Sequence, residues 1–208
     1  MDPQVQVRSH LNRARRSMAT VARTLRSGTD HQRWRNPDDP GYQTAERNEL
    51  IARFIPRGSS VLDLGAGQQE LRNYLSEDCD YQPCGLYPGP GVLPCDFNAD
   101  LYPSVERRFD ILVASGLVEF IRRPDRLLAR LPEFGDLLLM SYRVRPPGEG
   151  LRRRLASGYL SHLTKQQLES LLTDLGYRWE QVAEYEFNGA EPHVQPIYRI
   201  HLSPARGD

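Results

Sequence analysis

The sequence predicts an α/β fold with a mostly parallel seven-stranded sheet, helices on both of its faces and an antiparallel C-terminal hairpin. An apolar strand over residues 61–64 runs directly into a glycine turn, and apolar residues at helical spacing follow the turn. The segments 109–114 and 135–142 contain the apolar runs 111–114 and 137–140, which are typical of strands that are buried on both faces. The strand-like segments 177–187 and 193–202 have no helix between them, which favours antiparallel pairing.

Length and composition set the class of protein. The 208 residues fit one domain with a modest extension, and no apolar run approaches the roughly 20 residues of a membrane span. The N-terminus lacks the apolar segment of a secretory signal, so we expect a cytoplasmic protein. A net charge of +0 argues against a protein that binds nucleic acid over its whole surface. Cys79, Cys84 and Cys95 are odd in number and form no C-x-x-C pair, so we expect thiols rather than a disulfide or a metal site.

The turn after the first strand is the main candidate for a ligand site. Asp63 lies near the end of the strand, and Gly65 and Gly67 permit a tight turn whose backbone amides can approach a ligand. The pattern differs from the G-x-G-x-x-G of nicotinamide-dinucleotide sites. A carboxylate beside the turn would repel a pyrophosphate and suits a cationic or amino-bearing ligand. The alternative is a tight turn of purely structural role in another α/β protein.

This segment resembles motif I of the class I S-adenosylmethionine (SAM) methyltransferases, whose usual form is D/E-x-G-x-G-x-G. The resemblance extends over about residues 42–202 and implies a Rossmann-like fold with SAM as the cofactor. Gln69 stands in the place of the third glycine. The cofactor contacts that the motif implies are Asp63, Gly65, Gly67 and Gln68.

The second predicted strand, over residues 81–87, departs from the family pattern. Its end usually carries an acidic residue that binds the ribose hydroxyls, and Gly85 stands at that position here. Tyr87, or a residue of the loop 88–91, would have to substitute for the missing carboxylate.

The next two strands carry further positions that the resemblance assigns to the cofactor. Asp96 and Phe97 follow a short strand at 92–95 and match the adenine site of the family. For Asp96, a helix N-cap or an Asx turn is the alternative role. Ser115 ends the fourth strand, near the expected methionine part of SAM.

Two side chains are candidate catalytic bases, which the reaction needs only if the acceptor is a hydroxyl. Glu119 occupies a place where the family often has a polar residue facing the substrate, and a solvated glutamate in a first helical turn is the alternative. His162 precedes a predicted capping box at 164–167, and a structural histidine is the alternative. In the family, the connection that here spans 143–162 covers the substrate, so Tyr159 is a candidate substrate contact.

Residues 1–41 are predicted to form a basic N-terminal helix and a lid-like loop, followed by a methyltransferase-like domain over 42–208. The segment 5–25 has apolar residues at roughly helical spacing among many arginines. It suits either contact with a nucleic acid, an anionic membrane or an acidic substrate, or a solvated helix packed on the domain. Trp34 and Arg35 in the following polar loop are candidate substrate contacts, because a large aromatic side chain in a polar loop usually packs over another group. Simple packing of the loop against the core is the alternative.

Together these features predict a SAM-dependent methyltransferase that acts on a small polar acceptor, such as a metabolite, a sugar or a natural-product intermediate, by O-methylation. No DPPY-like or NPPY-like motif of amino-methyltransferases is present, which disfavours a base-directed nucleic-acid enzyme. Two alternatives stay open at this point. The chain could be a methyltransferase-like partner or scaffold protein without catalysis, or an RNA methyltransferase guided by its basic arm.

Overall fold

A computed structural model of the chain describes residues 18–22, 28–36, 45–187 and 193–202. Most of the predicted basic helix and the predicted domain boundary at 41/42 lie outside these residues. Residues 18–22, the described part of that helix, are helical.

One sheet of seven strands forms the centre of the described structure. The strands are β1 (Ser60–Leu64), β2 (Asp80–Gly85), β3 (Leu93–Pro94), β4 (Ile111–Ser115), β5 (Leu137–Ser141), β6 (Arg178–Phe187) and β7 (His193–His201). Their order in the sheet is β3-β2-β1-β4-β5-β7-β6. The first five strands pair in parallel, and β7 pairs antiparallel with both β5 and β6. The predicted fold class, including the antiparallel C-terminal pair, is confirmed.

Short helices connect the strands. The α-helices of the described residues, beyond 18–22, are α1 (His31–Trp34), α2 (Ala45–Ala52), α3 (Pro124–Arg130), α4 (Leu151–Ala156) and α5 (Lys165–Asp174). Single 3-10 turns lie at Glu70–Tyr74, Phe97–Ala99, Val118–Phe120 and Leu131–Glu133. In the described part of the chain, no helix has the length and apolar character that crossing a bilayer requires.

The hydrophobic core lies on both faces of the sheet because successive side chains of a strand point to opposite faces. Val61 of β1 packs with Ile51 of α2 and with Leu71 on one face. Leu62 of β1 packs on the other face, in the cluster that contains Leu168 of α5.

The helix predicted before β6 is confirmed as α5, together with its capping box. The Thr164 side chain accepts a hydrogen bond from the Gln167 amide at 3.2 Å, and Gln167 Oε1 accepts one from the Thr164 amide at 2.9 Å. Gly176 follows the helix with a φ of 77°. These local signals fix both ends of the helix.

Three segments differ from the prediction. The helix expected after the glycine turn is only the 3-10 turn Glu70–Tyr74, because the short stretch before β2 also has to hold a turn at 76–79. The predicted loop after Gly28 contains α1, whose first turn is capped by the Asp30 carboxylate at 3.1 Å from the Arg33 amide. The long connection after β5 contains α4.

Candidate functional site

A cavity of about 500 Å³ lies at the carboxyl ends of β1, β2 and β4. This is the edge at which open α/β sheets bind ligands, and the volume is within the range of small-molecule pockets. The turn 65–70 forms one wall, and residues 28–30 and 33–35 on and beside α1 form another.

Asp63 lies in the cavity wall at the end of β1 and is only 3% exposed. The Tyr81 hydroxyl donates a hydrogen bond to Asp63 Oδ2 at 2.6 Å. Burial raises the pKa of Asp63 to about 6, against the opposing effects of the Tyr81 hydrogen bond and the charge of Arg47. The carboxylate is therefore mostly ionised at neutral pH and available to a cation.

The glycine turn needs left-handed backbone. Gly65 has a φ of 72°, and a Cβ at this position would lie 2.9 Å from Leu117 Cδ1. Gly67 has a φ of 53°, and Gln69, in the place of the third glycine, still adopts a φ of 61°. The Gln69 side chain donates from Nε2 to the Pro90 carbonyl at 3.3 Å, which ties the turn to the loop after β2. Gln68 also lines the cavity.

Arg47 of α2 lines the cavity and is a site residue that the sequence analysis missed. Its Nε donates to Ser115 Oγ at 2.9 Å, its Nη2 to the Ser115 carbonyl at 3.3 Å and its Nη1 to Gln195 Oε1 at 3.1 Å. All three acceptors are neutral, and no described carboxylate lies within ion-pair distance of Arg47. Burial lowers the pKa of Arg47, but a guanidinium stays charged at neutral pH. Arg47 is thus a buried cation with no ion-paired carboxylate in the described part of the chain, and the nearby charge of Glu119 partly opposes the effect of burial on its pKa.

A sequence signal for Arg47 exists. Arg47 and Asn48 precede the buried Ile51 by one helical turn, so they share its core-facing side of α2. Polar side chains on a buried helix face point to a site, because burying them without a partner is costly. Asn48 Oδ1 accepts a hydrogen bond from Ser115 Oγ at 2.6 Å.

Asp96 holds the wall formed by residues 28–31. Its Oδ1 accepts hydrogen bonds from Thr29 Oγ1 at 3.0 Å and from the Asn98 amide at 3.1 Å, and its Oδ2 lies 3.3 Å from His31 Nε2. The bond to Asn98 is an N-cap interaction, so Asp96 both caps a turn and lines the cavity. Phe97 is buried and lines the cavity beside it.

The end of β2 carries no carboxylate at the cavity. Gly85 lines the cavity and accepts the Cys95 amide on its carbonyl at 2.9 Å. Tyr87, the suggested substitute, also lines the cavity, but its hydroxyl donates to the His31 carbonyl at 2.5 Å. Tyr87 therefore connects the loop after β2 to α1.

Comparison with known proteins rests on structure, because no protein-family model and no curated protein matches the sequence. A Burkholderia thailandensis 1,6-didemethyltoxoflavin-N1-methyltransferase, solved with its acceptor and S-adenosylhomocysteine (SAH), matches with a TM-score of 0.60 over 89% of each chain at 17% identity. The chain has the class I methyltransferase fold.

Two further solved structures support this assignment of the fold. A plantazolicin methyltransferase, in complex with a monoazolic desmethyl analogue and SAH, matches with a TM-score of 0.58 over 96% of this chain and all of its own, at 13% identity. The N-methyltransferase NodS from Bradyrhizobium japonicum, with SAH bound, matches with a TM-score of 0.55 over 86% of this chain and 97% of its own, at 13% identity. These low identities establish a shared fold.

Within this methyltransferase fold, Glu119 is enclosed rather than facing the cavity. It is 2% exposed, and its Oε2 has no hydrogen-bond partner among the described residues. Burial raises the pKa of Glu119. Its carbonyl accepts the amides of Leu160 and Ser161 at 2.8 and 3.0 Å, which closes the long connection over it.

His162 also lies outside the lining of the cavity. Its Nδ1 accepts a hydrogen bond from Arg154 Nε at 3.3 Å. Partial burial, with the charges of Arg154 and Arg145, lowers the pKa of His162 and favours the neutral ring. The structure therefore does not bring the two candidate bases to the cavity, because Glu119 is enclosed beneath the connection between α4 and α5 and His162, within that connection, is bonded to Arg154.

Two of the three candidate substrate contacts line the α1 end of the cavity. Trp34 and Arg35 line it, and the Trp34 ring lies edge-on to Phe120, with 4.8 Å between the ring centres. Tyr159 does not line the cavity, but its ring lies 5.2 Å from Phe120, which does. Tyr159 thus packs against Phe120, an aromatic residue of the cavity lining. The predicted site residues that line the cavity are Trp34, Arg35, Asp63, Gly65, Gly67, Gln68, Asp96, Phe97 and Ser115.

Proposed function

We propose that the protein is a SAM-dependent methyltransferase that acts on a small polar acceptor. The observation that carries this proposal is the pair of opposite buried charges in the cavity wall, Asp63 at the end of β1 and Arg47 on α2. SAM has an amino-acid tail with an ammonium and a carboxylate, next to a cationic sulfur. A carboxylate and a guanidinium that forms no ion pair with any described residue match the charges of this tail.

The residues of the cavity fit the rest of the cofactor. The turn at Gly65 and Gly67 allows close approach of the backbone, and a side chain at Gly65 would collide with Leu117. A carboxylate offers about four lone-pair positions, and described residues occupy three of those on Asp96, which leaves one that we propose for the adenine amino group. For the ribose, we propose the amide oxygen of Gln69, which no other described residue uses.

When bound, SAM supplies an electrophilic methyl group on its cationic sulfur. The role of the protein in the reaction is to align the acceptor with that methyl group. Holding both partners in the site replaces a bimolecular encounter by a bound pair. We assign no proton transfer to Glu119 or His162, because neither lines the cavity. We propose methylation on oxygen for acceptors whose oxygen is already ionised at neutral pH, such as carboxylates. Such an acceptor needs no catalytic base.

Calorimetric titration with SAH and with methylthioadenosine, which lacks the amino-acid tail, tests this proposal. The wild type is expected to bind SAH more tightly, and Arg47→Gln is expected to lose about 10- to 100-fold in SAH affinity, the effect of one charge-assisted hydrogen-bonded pair. Binding of methylthioadenosine should not change. Arg53→Gln, which removes an exposed arginine just after α2, is the matched control.

Two results would contradict the proposal. The first is no binding of SAH at millimolar concentration to folded wild-type protein. The second is an equal loss of affinity for SAH and for methylthioadenosine in Arg47→Gln, since a residue that binds the amino-acid tail cannot affect the affinity for a ligand that lacks it.

A further inference from the structure

The α1 end of the cavity has a continuous aromatic wall. Trp34 and Phe120 meet at an interplanar angle of 89°, and both line the cavity. Tyr159 continues the wall behind Phe120. Such a wall favours a flat, apolar ring over a flexible or strongly hydrated ligand, because aromatic pairs contribute about 0.5–1.5 kcal/mol beyond the burial of their area.

Guanidinium groups surround this wall on the cavity side. Arg33 lies over the rings of Trp34 and Phe120, with its central carbon 4.6 and 5.4 Å from their centres. Arg35 is exposed, lines the cavity and lies 5.5 Å over the Tyr87 ring. Among the described residues, no carboxylate lies within ion-pair distance of Arg35. Arg35 can therefore place a forked set of donors at the mouth of the cavity.

A second group of charges lies behind the wall. Arg143 and Arg154 each donate to one oxygen of Glu149 at 3.0 Å, and these three side chains are at most 5% exposed. Both guanidinium groups lie 5.0 Å from the Tyr159 ring centre. Two cations share one carboxylate, so the group adds one positive charge behind the aromatic wall.

The carboxylates near this end do not cancel that charge. Asp30, which caps α1 through the Arg33 amide and lines the cavity, keeps its negative charge and offsets one of the two cations Arg33 and Arg35. Glu119 is enclosed outside the cavity lining, and burial raises its pKa. Asp63, near the end of β1, and Asp96, two residues after β3, are the carboxylates that we assign to SAM. The α1 end thus has Arg33, Arg35 and the single positive charge of the Arg143–Arg154–Glu149 group against the carboxylates of Asp30 and Glu119. Low-dielectric walls strengthen the field of such a cation excess.

We propose that the acceptor is an aromatic carboxylate, with its ring against Trp34 and Phe120 and its carboxylate bound by Arg35. This inference rests on the proposed function, since it assigns to the acceptor the part of the cavity that SAM does not take. A guanidinium binds a carboxylate through two parallel hydrogen bonds, which fixes the plane of the acid as well as its charge.

The test is calorimetric titration of SAH-saturated protein with naphthoate, naphthamide and cyclohexanecarboxylate. Wild type should bind naphthoate roughly tenfold more tightly than the neutral amide, the effect expected of a hydrogen bond to a charged group. Naphthoate should also bind more tightly than the non-aromatic acid.

Two variants separate the contributions of charge and ring. Arg35→Gln should remove the preference for naphthoate over naphthamide, and Trp34→Ala should remove the preference for naphthoate over cyclohexanecarboxylate. Arg53→Gln should keep both preferences. SAH binding by each variant shows that its fold is retained.

Three outcomes would each overturn the inference. The wild type could bind naphthoate and naphthamide with equal affinity, Arg35→Gln could still bind naphthoate more tightly than naphthamide, or SAH-bound protein could bind none of the probes. These results leave the proposed function standing, because SAH binding is measured separately. Loss of SAH binding by the wild type would instead contradict the proposed function itself.

Discussion

Asp63 is buried beside Tyr81 with a pKa raised to about 6, so its ionisation costs free energy in the folded protein. Its pKa in the unfolded chain is close to 3.8, the ordinary value of an aspartate side chain. Between these two values the unfolded chain binds fewer protons than the folded protein, so the free energy of unfolding decreases as the pH rises. Above about pH 6 the full cost applies, about 3 kcal/mol for two pKa units.

We therefore expect Asp63→Asn to raise the thermal stability at pH 7.5 and to weaken SAH binding at the same time. Asparagine keeps an oxygen acceptor for the Tyr81 hydroxyl and carries no charge to desolvate. The gain should disappear near pH 4, where Asp63 is protonated in the folded protein. Thermal unfolding at both pH values and calorimetry test this. A less stable variant at pH 7.5 would show that the buried charge is not the dominant effect, and Asp125→Asn, at an exposed ion pair, is the control.

The same carboxylate predicts how cofactor binding depends on pH. Lowering the pH through about 6 protonates Asp63 and removes the charge proposed to bind the ammonium of the tail. SAH affinity should fall over this range in the wild type and stay flat in Asp63→Asn. Calorimetric titrations from pH 5 to 8 measure both slopes. Parallel slopes in the two proteins would assign the titration to another group.

The residues around the cavity that could be predicted are those in local patterns. Asp63, Gly65 and Gly67 come from one strand–turn motif, Asp96 follows β3 by two residues, and Ser115 ends β4. Arg47 could not be placed in this way, because its contacts are to Ser115 and Gln195, which lie 68 and 148 positions away in the chain. The roles assigned to these residues stay predictions.

At the scale of elements, the connection between β5 and α5 depends on buried charge rather than on local signals. Arg154 of α4 donates to the carbonyls of Arg143 and Ser161 at 3.0 and 3.1 Å, and so fastens both ends of the connection to α4. These bonds form only when the chain has folded back on itself. The sequence therefore predicted the capped helix α5, whose signals lie within four residues, and missed the short helices α1 and α4.

Glu149→Gln should destabilise this connection strongly. The substitution leaves the guanidinium groups of Arg143 and Arg154 buried without their shared carboxylate. Removing one partner of a buried ion pair typically costs about 3–5 kcal/mol. Denaturant unfolding should show this loss, whereas Glu133→Gln, at an exposed pair with Arg130, should cost less than about 1 kcal/mol. Equal effects of the two substitutions would mean that the buried pair contributes no more than a surface one.

At the scale of the whole molecule, the sheet and the cavity depend on different parts of the chain. In the described structure, both hydrophobic clusters consist of residues from Leu50 onward. Residues 28–36 instead contact groups around the cavity. Thr29 donates a hydrogen bond to Asp96, the His31 carbonyl accepts one from Tyr87, and the Trp34 ring packs against Phe120. We therefore expect the sheet to fold without residues 28–36, whereas the cavity needs them to complete its wall.

This separation makes the predicted boundary at 41/42 testable with two truncated chains. A chain of residues 42–208 should still unfold cooperatively, because it keeps all seven strands and both clusters. Its SAH affinity should fall by at least about tenfold, since the wall that covers Asp96 is gone. A chain of residues 28–208 keeps that wall and should bind SAH like the full protein. Failure of 42–208 to fold would move the boundary toward the N-terminus, and full SAH affinity in 42–208 would show that α1 serves the acceptor alone.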